Sequence, residues 1–267
     1  MNRHQVSLLF LALLFLFPAT SFGAATLEIP GTGDSQALLR DLAAAFNAGQ
    51  QEIEVVIPDS IGSGGAIKSV AGDKNELGRV ARPIKKKEQR YNLNYLQFAA
   101  SPVVFAVSGN VGGVDNLTPE EALAVYAAKT TNWSALGGPP ESIYLIGREP
   151  GDSSREAVEE IVPGFGGIEN YSGIVAYSTP EAVDMLATHD NSIAYLPFSM
   201  TSGRNVRVLK FGGKGPLDPG YPLLTPFGMV WKGKMSGPAA GFMDFIFSDR
   251  GRKIITAAGA VAVARKP

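Results

Sequence analysis

Three short turns hold the residues of this sequence that could do chemistry: Gly31-Thr32-Gly33-Asp34-Ser35, Gly62-Ser63-Gly64-Gly65 and Gly151-Asp152-Ser153-Ser154. Each combines glycine with a small hydroxyl residue and runs into a helix-like stretch. A turn of this kind offers uncommitted backbone N–H groups at a helix start, where aligned peptide dipoles amount to roughly half a positive charge. Glycine lets the backbone come close to a ligand, and serine adds a donor without filling the space. Two arginines supply full charge. Arg148 stands three residues before the third turn, and Arg82 follows the stretch Gly78 to Ala81, from where it could reach the same cleft. A planar guanidinium grips two oxyanion oxygens at once. One such turn is usually no more than a helix cap, and Asp34 and Asp152 are favoured cap residues. Three turns and two arginines in one chain point to a small anionic ligand, with the two aspartates either capping or touching it.

The second turn, inside "DSIGSGGAIKSV", invites a nucleotide reading that it does not sustain. Lys68-Ser69 stand six positions after Gly62, as in a phosphate-binding loop, but Ile67 replaces the glycine before the lysine. The dinucleotide pattern G-x-G-x-x-G fails at the same place.

The elements around the turns alternate between strand and helix. Strand candidates are 26–29, 52–57, 78–81, 143–146 and 192–196, and the apolar stretch "QFAASPVVFAV" over 97–107 is long enough to pass between two lobes. Helical spacing of Leu38, Leu42 and Phe46 predicts a helix over 35–47. Thr118-Pro119-Glu120-Glu121 carries a capping box, and Thr179-Pro180-Glu181 opens another helix. One long amphipathic helix is expected over 238–258. The pattern is that of an open α/β sheet, whose ligands sit beyond the carboxyl ends of the strands. Lys85-Lys86-Lys87 reads as a solvated polar loop, and Lys68 and Arg155 as charges within helices.

The ends and the composition bound the rest. A basic start and an apolar run over 6–17, followed by small residues, read as a signal peptide over 1–25; the run is short for a membrane span. The 267 residues include no cysteine, which excludes disulfides and a lipid-modified N-terminal cysteine. Cleavage would remove Arg3 alone among the charged residues, leaving 23 Lys and Arg against 25 Asp and Glu. That balance argues against a nucleic-acid surface. After cleavage only His189 remains, in the polar stretch "THDNS", so a Ser-His-Asp triad would have to use it, a thiol nucleophile is impossible, and ligands for zinc are missing. No cofactor or metal is called for, and no enzyme motif appears.

In these turns and the segments around them the chain resembles the phosphate-binding proteins of bacterial ABC phosphate importers, over essentially the whole mature sequence. The likeness rests on "GTGDSQALLRDLAAAF", "IGSGGAIKSV", "GRVARPIK", "NLTPEEALAVYAAKTTNW" and "GREPGDSSR". It implies a two-lobed type II periplasmic binding protein fold, each lobe a mixed open sheet flanked by helices, with the ligand in the cleft between lobes. Residues 26–101 and 200–267 would form the first lobe and 102–199 the second, hinged near 101–106 and 196–200. The implied protein is a non-enzymatic periplasmic receptor, a monomer that captures inorganic phosphate or a related oxyanion and hands it to an inner-membrane ABC permease. By similarity, Gly33, Asp34, Ser35, Ser63 and Gly64 would bind from the first lobe, and Arg148, Ser153 and Ser154 from the second; Arg82 and Asp152 complete the candidate set.

The chain also departs from the family pattern. Asp152-Ser153-Ser154 stand where serine, glycine and threonine are usual, Pro150 replaces an acidic residue, and Gly33-Asp34 lie where hydroxyl residues are common. Arg82 occupies a region of polar or acidic contacts. A carboxylate beside the anion could accept a hydrogen bond from hydrogen phosphate and would repel sulfate or molybdate. The alternatives are an oxyanion-responsive sensor or partner-binding protein on the same fold, and a phosphate-ester hydrolase with Asp34 or Asp152 as base.

Overall fold

The computed structural model describes residues 25–168 and 172–265. Residues 1–24, which contain the expected signal peptide, lie outside them. In chain order the elements are β1 (Ala25–Glu28), α1 (Gln36–Asn47), β2 (Ile53–Val56), α2 (Gly62–Ala71), β3 (Leu77–Val80), β4 (Leu93–Ser108), β5 (Asn116–Leu117) and α3 (Pro119–Tyr126). They continue with β6 (Tyr144–Arg148), α4 (Ser153–Ile161), β7 (Ile174–Ala176), α5 (Thr179–Thr188), β8 (Ser192–Pro197), β9 (Val206–Val208), β10 (Lys210–Phe211), β11 (Leu224–Lys232), α6 (Gly237–Phe247), α7 (Asp249–Ala257) and β12 (Val261–Ala262).

One strand ties the molecule together. The first part of β4, Leu93 to Pro102, pairs antiparallel with β11, and the next part, Val103 to Val107, pairs antiparallel with β8. The sheet thereby runs β3-β11-β4-β8-β6-β7, antiparallel on one side and parallel where β6 meets β8 and β7. Each side has its own core. Leu27, Leu38, Leu42, Phe98, Phe227 and Phe242 belong to the first. Val103, Phe105, Tyr126, Trp133, Tyr195 and Phe211 belong to the second. The result is a mixed α/β fold of two lobes, with β4 threaded through both.

The lobe boundary differs from the sequence expectation at one end. Leu209, Phe211, Tyr221 and Leu223 are buried in the second core, not the first. The cause is pairing: β9 hydrogen-bonds to the second-lobe end of β4, and the Tyr221 hydroxyl donates to the Val103 carbonyl at 2.8 Å. The chain returns to the first lobe at β11.

Local signals explain most element ends. Thr118 Oγ1 accepts from the Glu121 amide at 3.1 Å, and Glu121 accepts from the Thr118 amide at 2.8 Å, closing the expected box. The helix expected over 238–258 is instead two. Ser248 is extended (φ −68°, ψ 164°), and its hydroxyl caps α7 by accepting from Gly251 N at 3.1 Å. A Cβ on Gly251 would stand 2.3 Å from the Phe245 carbonyl oxygen, so the tight break between α6 and α7 requires glycine there. The second glycine turn is likewise not a loop before a helix: Gly62 to Gly65 form the first turn of α2 itself.

Candidate functional site

The first turn follows β1, the second begins α2, and the third joins β6 to α4. All three face a cavity of about 210 Å³ between the lobes, with Gly33, Ser63, Gly64, Arg148, Asp152 and Ser153 in its wall. Neither Ser35 of α1 nor Ile61 of α2 caps its helix with a side chain; the Gly62 amide donates to the Ser60 hydroxyl at 3.3 Å, and the Ser63 and Gly64 amides begin α2 beside this space. The Ser63 hydroxyl accepts from the Ala81 amide at 3.0 Å and lies 3.3 Å from the Ser153 hydroxyl of the opposite lobe. The cavity is smaller than the roughly 300–1,000 Å³ of pockets for drug-sized ligands, which suits a small ion.

Arg148 is the charge of the site. It ends β6 and is 3% exposed. Its Nη2 meets Asp152 Oδ2 at 2.8 Å, its Nη1 donates to Thr179 Oγ1 at 2.9 Å, and its Nε donates to the Ala176 carbonyl at 3.0 Å. Its backbone amide donates to the Tyr195 hydroxyl at 3.0 Å. Burial works against the guanidinium charge, but Asp152, Asp34 and Glu149 hold its pKa above the ordinary arginine value.

The two aspartates take different places. Asp152 caps α4, accepting from the Arg155 amide at 2.9 Å while also pairing with Arg148. Asp34 is fully buried and lies behind the cavity wall. It accepts from the Thr179 hydroxyl and, at 3.4 Å, from the Ser154 hydroxyl, both across the cleft. Arg148, Thr179 and Asp34 thus form one hydrogen-bonded chain from the second lobe to the first. Burial pushes the Asp34 carboxyl up, Arg148, Thr179 and Ser154 opposing. Burial and the nearby Asp34 charge push Asp152 up to about 7, against the pull of Arg148. The two carboxyls share one guanidinium and titrate as a pair.

The protein matches the model of the PBP superfamily domain over residues 18–250. The chain belongs to the PBP superfamily. It is 25% identical over 245 residues to the phosphate-binding protein PstS of Bacillus subtilis strain 168, covering 89% of this chain and 81% of that one. A Clostridium perfringens protein assigned as a phosphate ABC transporter substrate-binding protein, solved with bound phosphate, superposes with a TM-score of 0.81 at 25% identity, covering 89% of this chain and 99% of its own. An ABC-type phosphate transport receptor from Vibrio cholerae superposes with a TM-score of 0.65 at 19% identity, over 88% of this chain and 99% of its own, and shares the fold.

Within this superfamily fold, the ten residues singled out from sequence divide into three groups. Gly33, Ser63, Gly64, Arg148, Asp152 and Ser153 line the cavity. Asp34, Ser35 and Ser154 are fully buried beside it, and the Ser35 hydroxyl has no hydrogen-bond partner among the described residues. Arg82 is placed elsewhere: its Nη1 and Nη2 grip Glu88 at 2.8 Å each, so it does not reach the cavity. Lys85, read as part of a solvated loop, pairs with Glu156 across the cleft.

Sequence reading missed Thr179 and Arg79. Thr179 repeats the strand–hydroxyl–helix signal of the three turns, but it was read only as a helix start. Arg79 lies within β3 and is completely buried. Its donors go to the carbonyls of Thr32 at 2.9 Å, Pro58 at 2.7 Å and Ile29, which locks the first turn against the loop before α2. Burial, assisted by the Arg40 charge, lowers its pKa to about 10. Lys68, read as an ordinary helix charge, stands in the cavity wall.

Proposed function

We propose that this chain is an extracytoplasmic solute-binding protein that captures inorganic phosphate in the interlobe cleft and delivers it to an ABC importer. The observation that carries this reading is the convergence of the Arg148 guanidinium and the starts of α2 and α4 on one cavity of about 210 Å³ closed by hydroxyl contacts between lobes. Backbone amides of Ser63 and Gly64, the Ser153 hydroxyl and Arg148 supply donors to the anion. The unpartnered Ser35 hydroxyl lies buried beside the same space. Each hydrogen bond to a charged group contributes about 1.5–3 kcal/mol, and a few of them suffice for micromolar or tighter binding. The relatives named for phosphate binding and transport support the same ligand and a membrane permease as partner.

Charge selects the ligand within the oxyanions. Asp152 and Glu149 line the cavity and Asp34 lies behind it, against the cations Arg148 and Lys68. With every carboxylate ionised this set is net negative, so a bare dianion is disfavoured. Above about pH 7, where Asp152 is ionised, an anion that brings its own proton, such as hydrogen phosphate, donates to Asp152 and eases the conflict; sulfate brings none. The Thr179 and Ser154 hydroxyls donate to Asp34, whose charge faces Arg148, and in this reading the site works by binding alone.

Titration calorimetry on the phosphate-stripped mature protein tests the reading, with phosphate, sulfate and molybdate at pH 6 to 8. Saturable phosphate binding is expected, with sulfate and molybdate binding weakest at pH 8, where Asp152 is ionised. Preference for sulfate or molybdate would sink the proton argument. Silence with all three would sink the receptor itself.

A further inference from the structure

A second cavity of about 350 Å³ adjoins the cleft and shares Gly64, Lys68 and Gly151 with its wall. A Cβ added to Gly64 or Gly151 would meet nothing within 4 Å. The two glycines, one from each side of the cleft, therefore flank open space and not a packed partition. The walls of this chamber are cationic: Lys68, Arg82, Lys85, Lys87 and Arg90 face a single carboxylate, Glu88.

Two of those charges are engaged, Arg82 by Glu88 and Lys85 by Glu156. Lys68, Lys87 and Arg90 form no ion pair among the described residues. Arg90 lies over the Tyr91 ring, 4.9 Å from its centroid, and donates to the Tyr91 hydroxyl at 3.0 Å, which fixes its direction without neutralising it. At the back, Arg82 is nine-tenths buried and its Nε has no partner among the described residues. In a chain with formal net charge −1, this is a local concentration of positive potential on the rim of an anion-binding cleft.

We propose that Lys68, Lys87 and Arg90 make this chamber an antechamber that takes up an incoming phosphate anion and passes it between Gly64 and Gly151 to Arg148. The inference rests on the phosphate reading of the cleft and adds where the ligand first lands. A cleft lined by one sign of charge raises association rates by roughly 10–10³-fold. Rim charges act on the on-rate and its salt dependence, and little on the off-rate.

Stopped-flow phosphate binding to the mature protein and to Lys87→Gln/Arg90→Gln tests it, since both residues lie outside the cleft wall. The expected result is an on-rate lower by about threefold to tenfold at low ionic strength, an unchanged off-rate, and convergence of the two proteins at high salt. Lys87→Arg/Arg90→Lys should retain the wild-type on-rate. An unchanged on-rate at low salt, with wild-type affinity intact, overturns the antechamber. So does a wild-type preference for pyrophosphate over phosphate that disappears in the glutamine variant while the phosphate on-rate stays the same, because the chamber would then hold a resident second phosphoryl group. Wild-type protein that binds no phosphate at equilibrium defeats the receptor reading itself, an outcome distinct from both.

Discussion

The two lobes meet the cleft with different chemistry. Helices α1 and α2 of the first lobe begin without side-chain caps, whereas α4 and α5 of the second begin on the caps Asp152 and Ser178. The first lobe therefore offers backbone amides. The second satisfies its helix starts internally and offers a guanidinium. The buried arginines differ in the same way. Arg79 of the first lobe is directed at backbone carbonyls and holds loops together. Arg148 of the second is held by Asp152, Thr179 and one carbonyl at the edge of the cavity. Shape is thus set by the first lobe, and charge and protons by the second. Asp34 is the exception, a first-lobe carboxylate whose partners belong to the second.

The largest expected effect comes from removing the second lobe's charge. Arg148→Gln leaves Asp152 without its counter-ion in a buried site, and breaking a buried pair by deleting one partner costs about 3–5 kcal/mol. Phosphate affinity should fall by at least about 100-fold, for which about 2.7 kcal/mol is enough. Arg148→Lys should recover only part, because an ammonium keeps the charge and loses the planar fork. Calorimetry on the pair of variants checks this, and near-wild-type affinity in Arg148→Gln would move the charge of the site to Lys68.

Next comes the shape supplied by the first lobe. A Cβ on Gly33 would lie 2.9 Å from Pro180 Cδ and 3.1 Å from the Thr179 amide nitrogen, atoms across the cleft. Gly33→Val should hold the lobes apart and weaken phosphate binding by about tenfold or more, as each 1.4 kcal/mol of lost closure is tenfold in affinity. Small-angle scattering with saturating phosphate should show a wider particle than wild type. A variant that closes normally would show that the first turn gives way instead.

How much of this contrast can be read from sequence depends on how local its causes are. The first and third turns and the capping box at Thr118 follow from neighbours a few residues apart and are legible, as are the strands to within a few residues at their ends. The partner of Asp34 is not, because Thr179 stands 145 positions away and only the closed cleft brings them together. Arg82 looked free for the same reason: Glu88 lies beyond Pro83 and the lysine run, and only the turn of the chain puts it under the guanidinium. The helix break at Ser248 was open to reading, since serine followed by aspartate is a start signal, but the continuing apolar face of Phe242, Phe245, Ile246 and Ile254 masked it.

The proton side of the comparison appears in pH dependence. Asp152 is raised to about 7 in the ligand-free protein, and an arriving anion raises it further. The bound state then keeps a proton that the free state releases. Affinity should be nearly flat below pH 7 and fall above it by up to about tenfold per pH unit. Folding shows the companion effect. An unfolded aspartate titrates near about 3.9, so between there and about 7 the folded state binds the extra proton. This contribution to stability is present at low pH and is lost as pH rises through that window. Asp152→Asn should abolish both trends, measured as the difference from wild type in calorimetric affinity and in Tm across pH 5 to 9.

The smallest effect should come from the hydroxyls that touch across the cleft. Ser63 and Ser153 meet at 3.3 Å, one on the uncapped first turn of α2 and one on the capped first turn of α4. Ser63→Ala deletes a side chain whose oxygen also accepts the Ala81 amide, yet it leaves the α2 amides in place. A neutral hydrogen bond is worth about 0.5–1.5 kcal/mol net, so a loss of roughly threefold to tenfold in affinity is expected. Ser153→Ala should cost a similar amount. The pair is the sharper measurement, because residues in contact couple by about 0.5–3 kcal/mol while independent donors add. Coupling in the double-mutant cycle would mean that the lobes close on each other through these hydroxyls as well as on the anion. Strict additivity would mean that each serine answers to the ligand alone, and that the first lobe's part in binding lies in its backbone.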